Sequence, residues 1–118
     1  MRKSYFILPL IAVALIFSYC KSSGKASGSK KHHKTVFQNE LQTVIVGNCS
    51  PCHIPEKGGK KKAYDNFANV QADIDEMIRR IELNPGDKGF MPFRADHKLN
   101  DSTIAVFKKW KEDGMLEK

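Results

Sequence analysis

The sequence predicts an all-α fold of short helices over residues 35–118. Several segments repeat their apolar residues every three or four positions, which is the spacing that places them on one face of a helix. No stretch alternates apolar and polar residues convincingly enough to indicate a strand. Two helix-ending signals, an Asn-Pro-Gly run and a late glycine, divide the helical segments.

The first predicted helix runs from Val36 to Val46 and ends near Gly47. Its apolar residues recur at helical spacing, as expected for one buried face. They are Val36, Phe37, Leu41, Val44 and Ile45. Residues 54–62 contain a proline, two glycines and a lysine run, so we expect an exposed loop there.

Two helical segments follow the loop. Tyr64, Phe67 and Val70 lie three apart and predict a short helix. A longer helix is predicted from Ala72 to Leu83, because its apolar residues follow the i, i+3, i+4, i+7 pattern. The residues of this stripe are Ile74, Met77, Ile78 and Ile81, and Asn84-Pro85-Gly86 ends the helix.

The last predicted helix runs from Asp101 to Glu112. Asn100 or Asp101 is suited to cap its first turn, and Gly114 is suited to close its last. Its apolar stripe is made of Ile104, Phe107 and Trp110.

The run Cys49-Ser50-Pro51-Cys52-His53 is a CxxCH motif, and it carries the most specific chemistry in the chain. This spacing is typical of covalent haem attachment, in which two thiols add to the porphyrin vinyl groups and the imidazole binds the iron. A redox-active disulfide would normally lie in a βαβ context, and zinc needs four ligands. The other histidines, His32, His33 and His97, form no second ligand pair at zinc-site spacing. The motif therefore predicts one haem c, held by Cys49 and Cys52, with His53 as proximal ligand.

Residues 1–19 have the layout of a secretory signal peptide. Arg2 and Lys3 precede an apolar run, and Cys20 follows it at the position of the lipidated cysteine of bacterial lipoproteins. Tyr19 departs from that pattern, since a small residue is usual there, and an uncleaved signal anchor is the alternative. The apolar run is shorter than the roughly 20 residues that span a bilayer, which favours the lipoprotein. Either way we expect an exported, membrane-anchored protein on the periplasmic or extracytoplasmic side; which membrane holds it stays open.

Residues 20–34 are predicted to be a flexible basic tether. After Cys20 the segment contains only Lys, Ser, Gly, His and one Ala, so it cannot form a core. From Thr35 onward, thirteen basic residues balance thirteen acidic ones. The net charge of +7 therefore comes from the N-terminal segments and does not indicate nucleic-acid binding. A solvated spacer near a membrane explains this positive charge better than nucleic-acid binding does.

The cysteine count agrees with this scheme. An odd number of cysteines in a secreted chain needs an explanation, and there are three. Lipid on Cys20 and haem on Cys49 and Cys52 leave none for a disulfide. The remaining domain, about 80 residues from Thr35 to Lys118, is near the lower limit for a protein-only core. We expect the haem to complete that core.

The residues after Thr35 resemble the class I cytochrome c family, particularly small bacterial domains with an early CxxCH and a Met-Pro loop before a C-terminal helix. The resemblance implies a mostly α fold in which the N- and C-terminal helices cross. It also implies a haem cleft with one exposed edge and a methionine as second axial ligand. The segments that carry it are 48–53, 64–67, Phe90-Met91-Pro92-Phe93 and 99–114, which includes Trp110.

Met91 is the predicted second ligand of the iron. It lies in a predicted loop, where Pro92 biases it toward an extended backbone. Met77 lies on the apolar face of a predicted helix, where methionine usually belongs to the core, and Met115 follows the last helix. His97 is the alternative ligand, and an open coordination site is the third possibility.

His/Met ligation predicts an electron carrier that is not an enzyme, because six-coordinate iron offers no position to a substrate. We expect a monomer with transient redox-protein partners, whose effective concentration a membrane anchor would raise. The alternative is an open-site haem protein with peroxidase or gas-binding activity, for which Arg94, Asp96 and His97 could supply polar groups. A haem-stabilised interaction domain of a larger redox complex is a third hypothesis.

Overall fold

A computed structural model describes residues 33–118. The predicted signal peptide, the predicted lipidation site Cys20 and all but the last two residues of the predicted tether lie outside the described residues. The described part is helical and contains no strand, which confirms the all-α prediction. Among residues 33–118, no helix has both the length and the apolar character needed to cross a bilayer.

The described elements follow the predicted order, except that the two helical segments predicted between Tyr64 and Leu83 form one helix. A π-helical turn, Phe37–Leu41, continues directly into helix α1, Gln42–Asn48. The Leu41 N–H donates to the carbonyl of Val36, five residues back, which makes this turn wider than an α-helix. The remaining elements are a 3₁₀ turn at Pro55–Lys57, helix α2 at Phe67–Glu82 and helix α3 at Asp101–Glu112.

Helix α2 is one continuous helix, so the prediction of a separate short helix around Tyr64 to Val70 was wrong. The Asn66 side chain accepts a hydrogen bond from the Asn69 N–H at 3.1 Å and caps the helix, which leaves Tyr64 in the preceding loop. No proline or glycine interrupts the chain between Phe67 and Glu82, so the two predicted stripes merge into one. The helix ends before the Asn-Pro-Gly run, as expected.

Helix α3 has the predicted bounds, and its caps are now assigned. The Asn100 side chain accepts from the Thr103 N–H at 2.8 Å, so Asn100 and not Asp101 is the N-cap. At the other end Gly114 adopts φ of 96°, a left-handed conformation that costs glycine little. The chain reverses there, and the Met115 N–H donates to the carbonyl of Trp110 at 2.9 Å.

Three aromatic side chains join the two ends of the described chain to helix α2. Phe37, Phe67 and Trp110 have ring centroids 5.7 to 6.1 Å apart, and two of the three pairs meet edge to face. Trp110 is fully buried, and its indole N–H donates to the Leu116 carbonyl at 2.8 Å. The rest of the core surrounds this cluster: Leu41, Ile45, Ile54, Val70, Ile74, Met77, Ile81, Ile104 and Phe107.

Backbone hydrogen bonds fasten the C-terminal tail to the start of the domain. The Phe37 N–H donates to the Leu116 carbonyl at 2.9 Å, beside an isolated parallel bridge between Val36 and Leu116. The Thr35 N–H donates to a carboxylate oxygen of Asp113 at 2.7 Å. These bonds satisfy one backbone donor before the first helical turn and one at its start.

The loop after the CxxCH motif folds back onto the motif, so the prediction of a simple exposed loop was wrong in part. Ile54 is only 3% exposed and belongs to the core. Gly59 approaches the motif so closely that a Cβ there would lie 2.4 Å from the Pro51 carbonyl oxygen and 2.7 Å from that of Cys52. The lysines beyond it remain exposed.

Gly59→Ala should destabilise the protein, because a methyl group cannot enter this gap without moving the backbone of the motif. We expect the free energy of unfolding to fall by about 1–3 kcal/mol, the usual cost of overpacking. Chemical denaturation followed by circular dichroism would measure it.

Gly47→Ala is the matched control for this substitution. Gly47 lies in α1, has no positive φ, and a Cβ there would meet no atom within 4 Å. Replacing a helical glycine by alanine should leave stability unchanged or raise it by up to about 1 kcal/mol. Equal effects of the two substitutions would contradict the close approach at Gly59.

Candidate functional site

A cleft of about 660 Å³ lies between the CxxCH segment, helix α2 and the loop that contains Met91. This volume is within the range of roughly 300–1,000 Å³ that is usual for cofactor sites. Apolar side chains from the core line part of it, among them Ile81 and Phe107. Four predicted site residues also line it: Cys49, Cys52, His53 and Met91.

The two cysteines occupy different environments at the end of α1. The motif is held in tight turns, since the His53 N–H donates to the Cys49 carbonyl at 3.0 Å and the Ile54 N–H to that of Pro51 at 3.1 Å. Neither of these cysteines forms a disulfide; Cys49 is half-buried and Cys52 is exposed. Burial raises the pKa of the Cys49 thiol to about 11, so that thiol is protonated at neutral pH.

The His53 imidazole is held by a hydrogen bond and by a stacking contact. Its Nδ1 lies 2.8 Å from the backbone carbonyl oxygen of Lys62. A carbonyl only accepts, so Nδ1 carries the proton and Nε2 has the lone pair. This is the tautomer that a metal-bound histidine uses when its other nitrogen is fixed by a backbone carbonyl. The Tyr64 ring stacks on the imidazole, with centroids 4.6 Å apart and planes 15° from parallel.

Asp73 on helix α2 joins the residues that support His53. The Tyr64 hydroxyl donates to Oδ2 of Asp73 at 2.9 Å, and Nζ of Lys62 lies 2.7 Å from the same oxygen. The hydrogen bonds from Lys62 and Tyr64 hold the pKa of the Asp73 carboxyl below its usual value. Burial and the bond to Asp73 raise the pKa of Tyr64 to about 12. The network is therefore a neutral phenol and an ammonium around a carboxylate.

Met91 lies in the cleft, whereas His97 does not line it. Met91 is partly buried against the core, and its N–H donates to the Arg80 carbonyl on α2 at 3.2 Å. The His97 side chain is 85% exposed and hydrogen-bonds to the neighbouring Asp96. Met77 also reaches the cleft but is 6% exposed and packs in the core. Of the two candidates for the second iron ligand, only Met91 lines the same cleft as the CxxCH motif.

The rim of the cleft carries paired charges that the sequence did not indicate. Nε of Arg80 donates to Glu76 at 2.6 Å, and hydrogen bonds from Arg79 and Arg80 lower the pKa of Glu76 to about 2. Asp73, Glu76 and Arg80 flank the buried stripe of α2 at helical spacing. All three lie within the helix predicted from Ala72 to Leu83, so that spacing was an available signal.

Phe93 is an exposed aromatic residue at the edge of the cleft. It lines the cleft, yet 67% of it is exposed. The Arg94 guanidinium lies 5.2 Å from its ring centroid. Sequence reasoning used Phe93 only as part of the Phe90-Met91-Pro92-Phe93 run and assigned it no place at the site.

The donors in the cleft fit a haem better than a bare metal ion. Residues 33–118 contain no group of three or more His, Cys, Asp or Glu side chains arranged to hold a metal. The cleft instead offers two thiols, one imidazole with an available Nε2, one thioether and an apolar wall. Covalent haem attachment with His/Met ligation needs these groups and this kind of wall.

The hydroxyl of Tyr64 should ionise only well above pH 10. The neutral phenol is favoured in the folded state, so its stabilising contribution is fully present below the ordinary pKa of 10.0 and is lost as pH rises toward about 12. Carbon-13 NMR of protein labelled at the tyrosine Cζ would follow the ionisation. Tyr64→Phe assigns the resonance by removing it. A midpoint near pH 10 would contradict the buried hydrogen bond to Asp73.

Comparisons with protein-family models, with curated proteins and with solved structures returned no match for this chain.

Proposed function

We propose that this chain is a membrane-tethered mono-haem c-type cytochrome with a cytochrome c-like fold, which transfers single electrons between redox partners. The observation that carries the proposal is that one partly apolar cleft is lined both by the CxxCH residues and by Met91. These residues are separated by about forty positions in the sequence, and the packing of α2 brings them together. The closeness of the CxxCH and Met-Pro segments agrees with the family resemblance.

Four side chains have assigned roles in this proposal. Cys49 and Cys52 would hold the haem through thioether bonds, and His53 would bind the iron through Nε2. Met91 would bind the iron through its sulfur. The haem supplies a one-electron Fe(II)/Fe(III) couple, and a thioether ligand favours the ferrous state and raises its potential.

The rest of the cleft supplies an apolar wall and holds His53. Ile81, Leu99 and Phe107 form part of that wall, against which an apolar ring could pack. The Lys62 carbonyl holds the proton on Nδ1 of His53, so Nε2 stays available as a ligand. The carboxylates that line the cleft, Asp73 and Glu76, are each engaged by basic side chains.

No observation favours the alternative of a peroxidase or gas-binding protein. Peroxide chemistry requires an acid or base placed over an open iron position. Arg94, Asp96 and His97, the residues considered for it, are not among those lining the cleft. Asp96 and His97 are highly exposed and hydrogen-bond to each other.

The proposed partners are other redox proteins that bind transiently. The domain after residue 34 is formally neutral, so it needs no polyanionic partner. Phe93 at the mouth of the cleft provides apolar contact area where a partner could approach the cofactor. Lipidation at Cys20 and the tether through residue 34 would hold this monomer near membrane-bound partners.

Met91→Ala should remove the methionine ligand without removing the haem. Haem-loaded protein is made with the cytochrome c attachment machinery, and its ferric visible spectrum is compared with that of wild type. We expect wild type to show the weak long-wavelength band of Met-ligated haem and the variant to lose it. The ferrous variant should also bind carbon monoxide rapidly, whereas wild type should not.

Two controls separate ligand loss from general disruption. Met77→Leu changes a methionine of the same cleft at similar volume and should keep the band, with a stability cost under about 1.5 kcal/mol. His97→Ala should also keep it, because His97 lies outside the cleft. A wild-type spectrum that is high-spin, or a band that survives Met91→Ala, would contradict the proposal.

A further inference from the structure

We infer that Asp73 is a positioning residue that fixes the orientation of the His53 imidazole through Tyr64 and Lys62. The inference rests on the proposed function, since it concerns how the iron ligand is held and tuned. The observation behind the inference is that two groups contact Oδ2 of Asp73: the Tyr64 hydroxyl at 2.9 Å and the Lys62 ammonium at 2.7 Å.

Two restraints together determine how the imidazole is turned. The bond from Nδ1 to the Lys62 carbonyl fixes the direction of one ring edge. The Tyr64 ring, stacked at 4.6 Å and 15°, fixes the plane of the imidazole. Rotation about the Cβ–Cγ bond of His53 would break the stack and misalign the hydrogen bond, so both supports must be in place to hold one rotamer.

Asp73 binds the side chains of both residues that contact the imidazole, Lys62 and Tyr64. Lys62 and Tyr64 belong to the loop before α2, whereas Asp73 lies within α2, one residue before the buried Ile74. A single carboxylate oxygen, Oδ2, receives both side chains. The loop is therefore tied to a rigid helix at the two residues that contact the imidazole.

Backbone bonds keep the loop in place without Asp73, so its role can be separated from folding. The Lys61 N–H donates to the Cys52 carbonyl at 3.0 Å, and the Tyr64 N–H donates to the His53 carbonyl at 2.9 Å. These bonds determine the path of the chain but not the tilt of the Tyr64 ring. Replacing Asp73 should therefore loosen the imidazole while the fold persists.

Loss of the Asp73 charge should raise the reduction potential for two reasons that act in the same direction. A carboxylate close to the proximal ligand stabilises Fe(III) over Fe(II), so its removal favours reduction. A less firmly oriented imidazole is also a weaker donor to the iron, which disfavours Fe(III) as well. The loss of charge alone would raise the potential, so the orientation of the imidazole needs a second readout.

The test compares Asp73→Asn with Asp75→Asn in the full haem-loaded chain. Both substitutions remove one carboxylate from α2 with little change in shape. Asp75 is 76% exposed and pairs with Lys111 on α3, and it makes no hydrogen bond or ion pair with Tyr64 or Lys62. Spectroelectrochemical titration gives the potential, and proton NMR of the ferric protein gives the paramagnetic shifts of the haem methyl groups, which depend on the orientation of the axial imidazole.

We expect Asp73→Asn to raise the potential and to change the relative order or spread of the haem methyl shifts, and Asp75→Asn to do neither. Tyr64→Phe keeps the stacked ring but loses its bond to Asp73, so it should change the shifts in the same sense and by less. Retention of the Met91 band in each variant shows that the second ligand is unchanged.

Two results would overturn the inference while the proposed function stands. One is a potential and a shift pattern of Asp73→Asn that match wild type in protein that keeps the Met91 band. The other is an equal change in Asp75→Asn, which would reduce the effect to net charge. A wild-type chain that takes up no covalent haem would instead contradict the proposed function and, with it, the inference.

Discussion

The site depends on helix α2 as a common support for two loops. Asp73 holds the loop that supports His53, and the backbone carbonyl of Arg80 accepts the N–H of Met91. These positions are seven residues apart, about two helical turns or roughly 10 Å along the axis. A continuous helix of this length does not flex easily. The relative placement of the two predicted iron ligands therefore follows from the attachment of both loops to α2.

Helix α2 is itself held by a small core that the cleft opens into. Ile74 and Ile81 on α2 pack with Phe107 on α3, and Ile81 and Phe107 also line the cleft. A domain of this size buries little surface for its length. An apolar cofactor in the cleft would extend the same core, which links binding to stability. At the far side, Phe37 and Trp110 close the core and join the two ends of the described chain.

Local signals predicted the helices well where a cap or a breaker lay within a few residues. Asn100 and Gly114 bound α3 as expected, because a cap depends only on its own turn. The prediction of a separate helix from Tyr64 was wrong because Tyr64 shares the apolar spacing of α2 although it lies in the loop before it. Asn66 is the N-cap that begins α2, and it was not predicted as a cap from the sequence. Ile54 was assigned to a loop by its Pro and Gly neighbours, although the core buries its side chain.

The chemistry that the chain offers can be read from its residue order alone: two thiols and an imidazole at CxxCH spacing, a methionine before a proline, and apolar stripes of helical period. Each of these features is formed by residues that are close together in the sequence, so the sequence alone reveals it. The packed helices were needed to show that Met91 and not His97 lines the cleft, that the Lys62 carbonyl sets the tautomer of His53, and that Asp73 accepts the Tyr64 hydroxyl. Each of these contacts joins residues whose separation in space depends on how α2 packs, and periodicity contains no information about that packing.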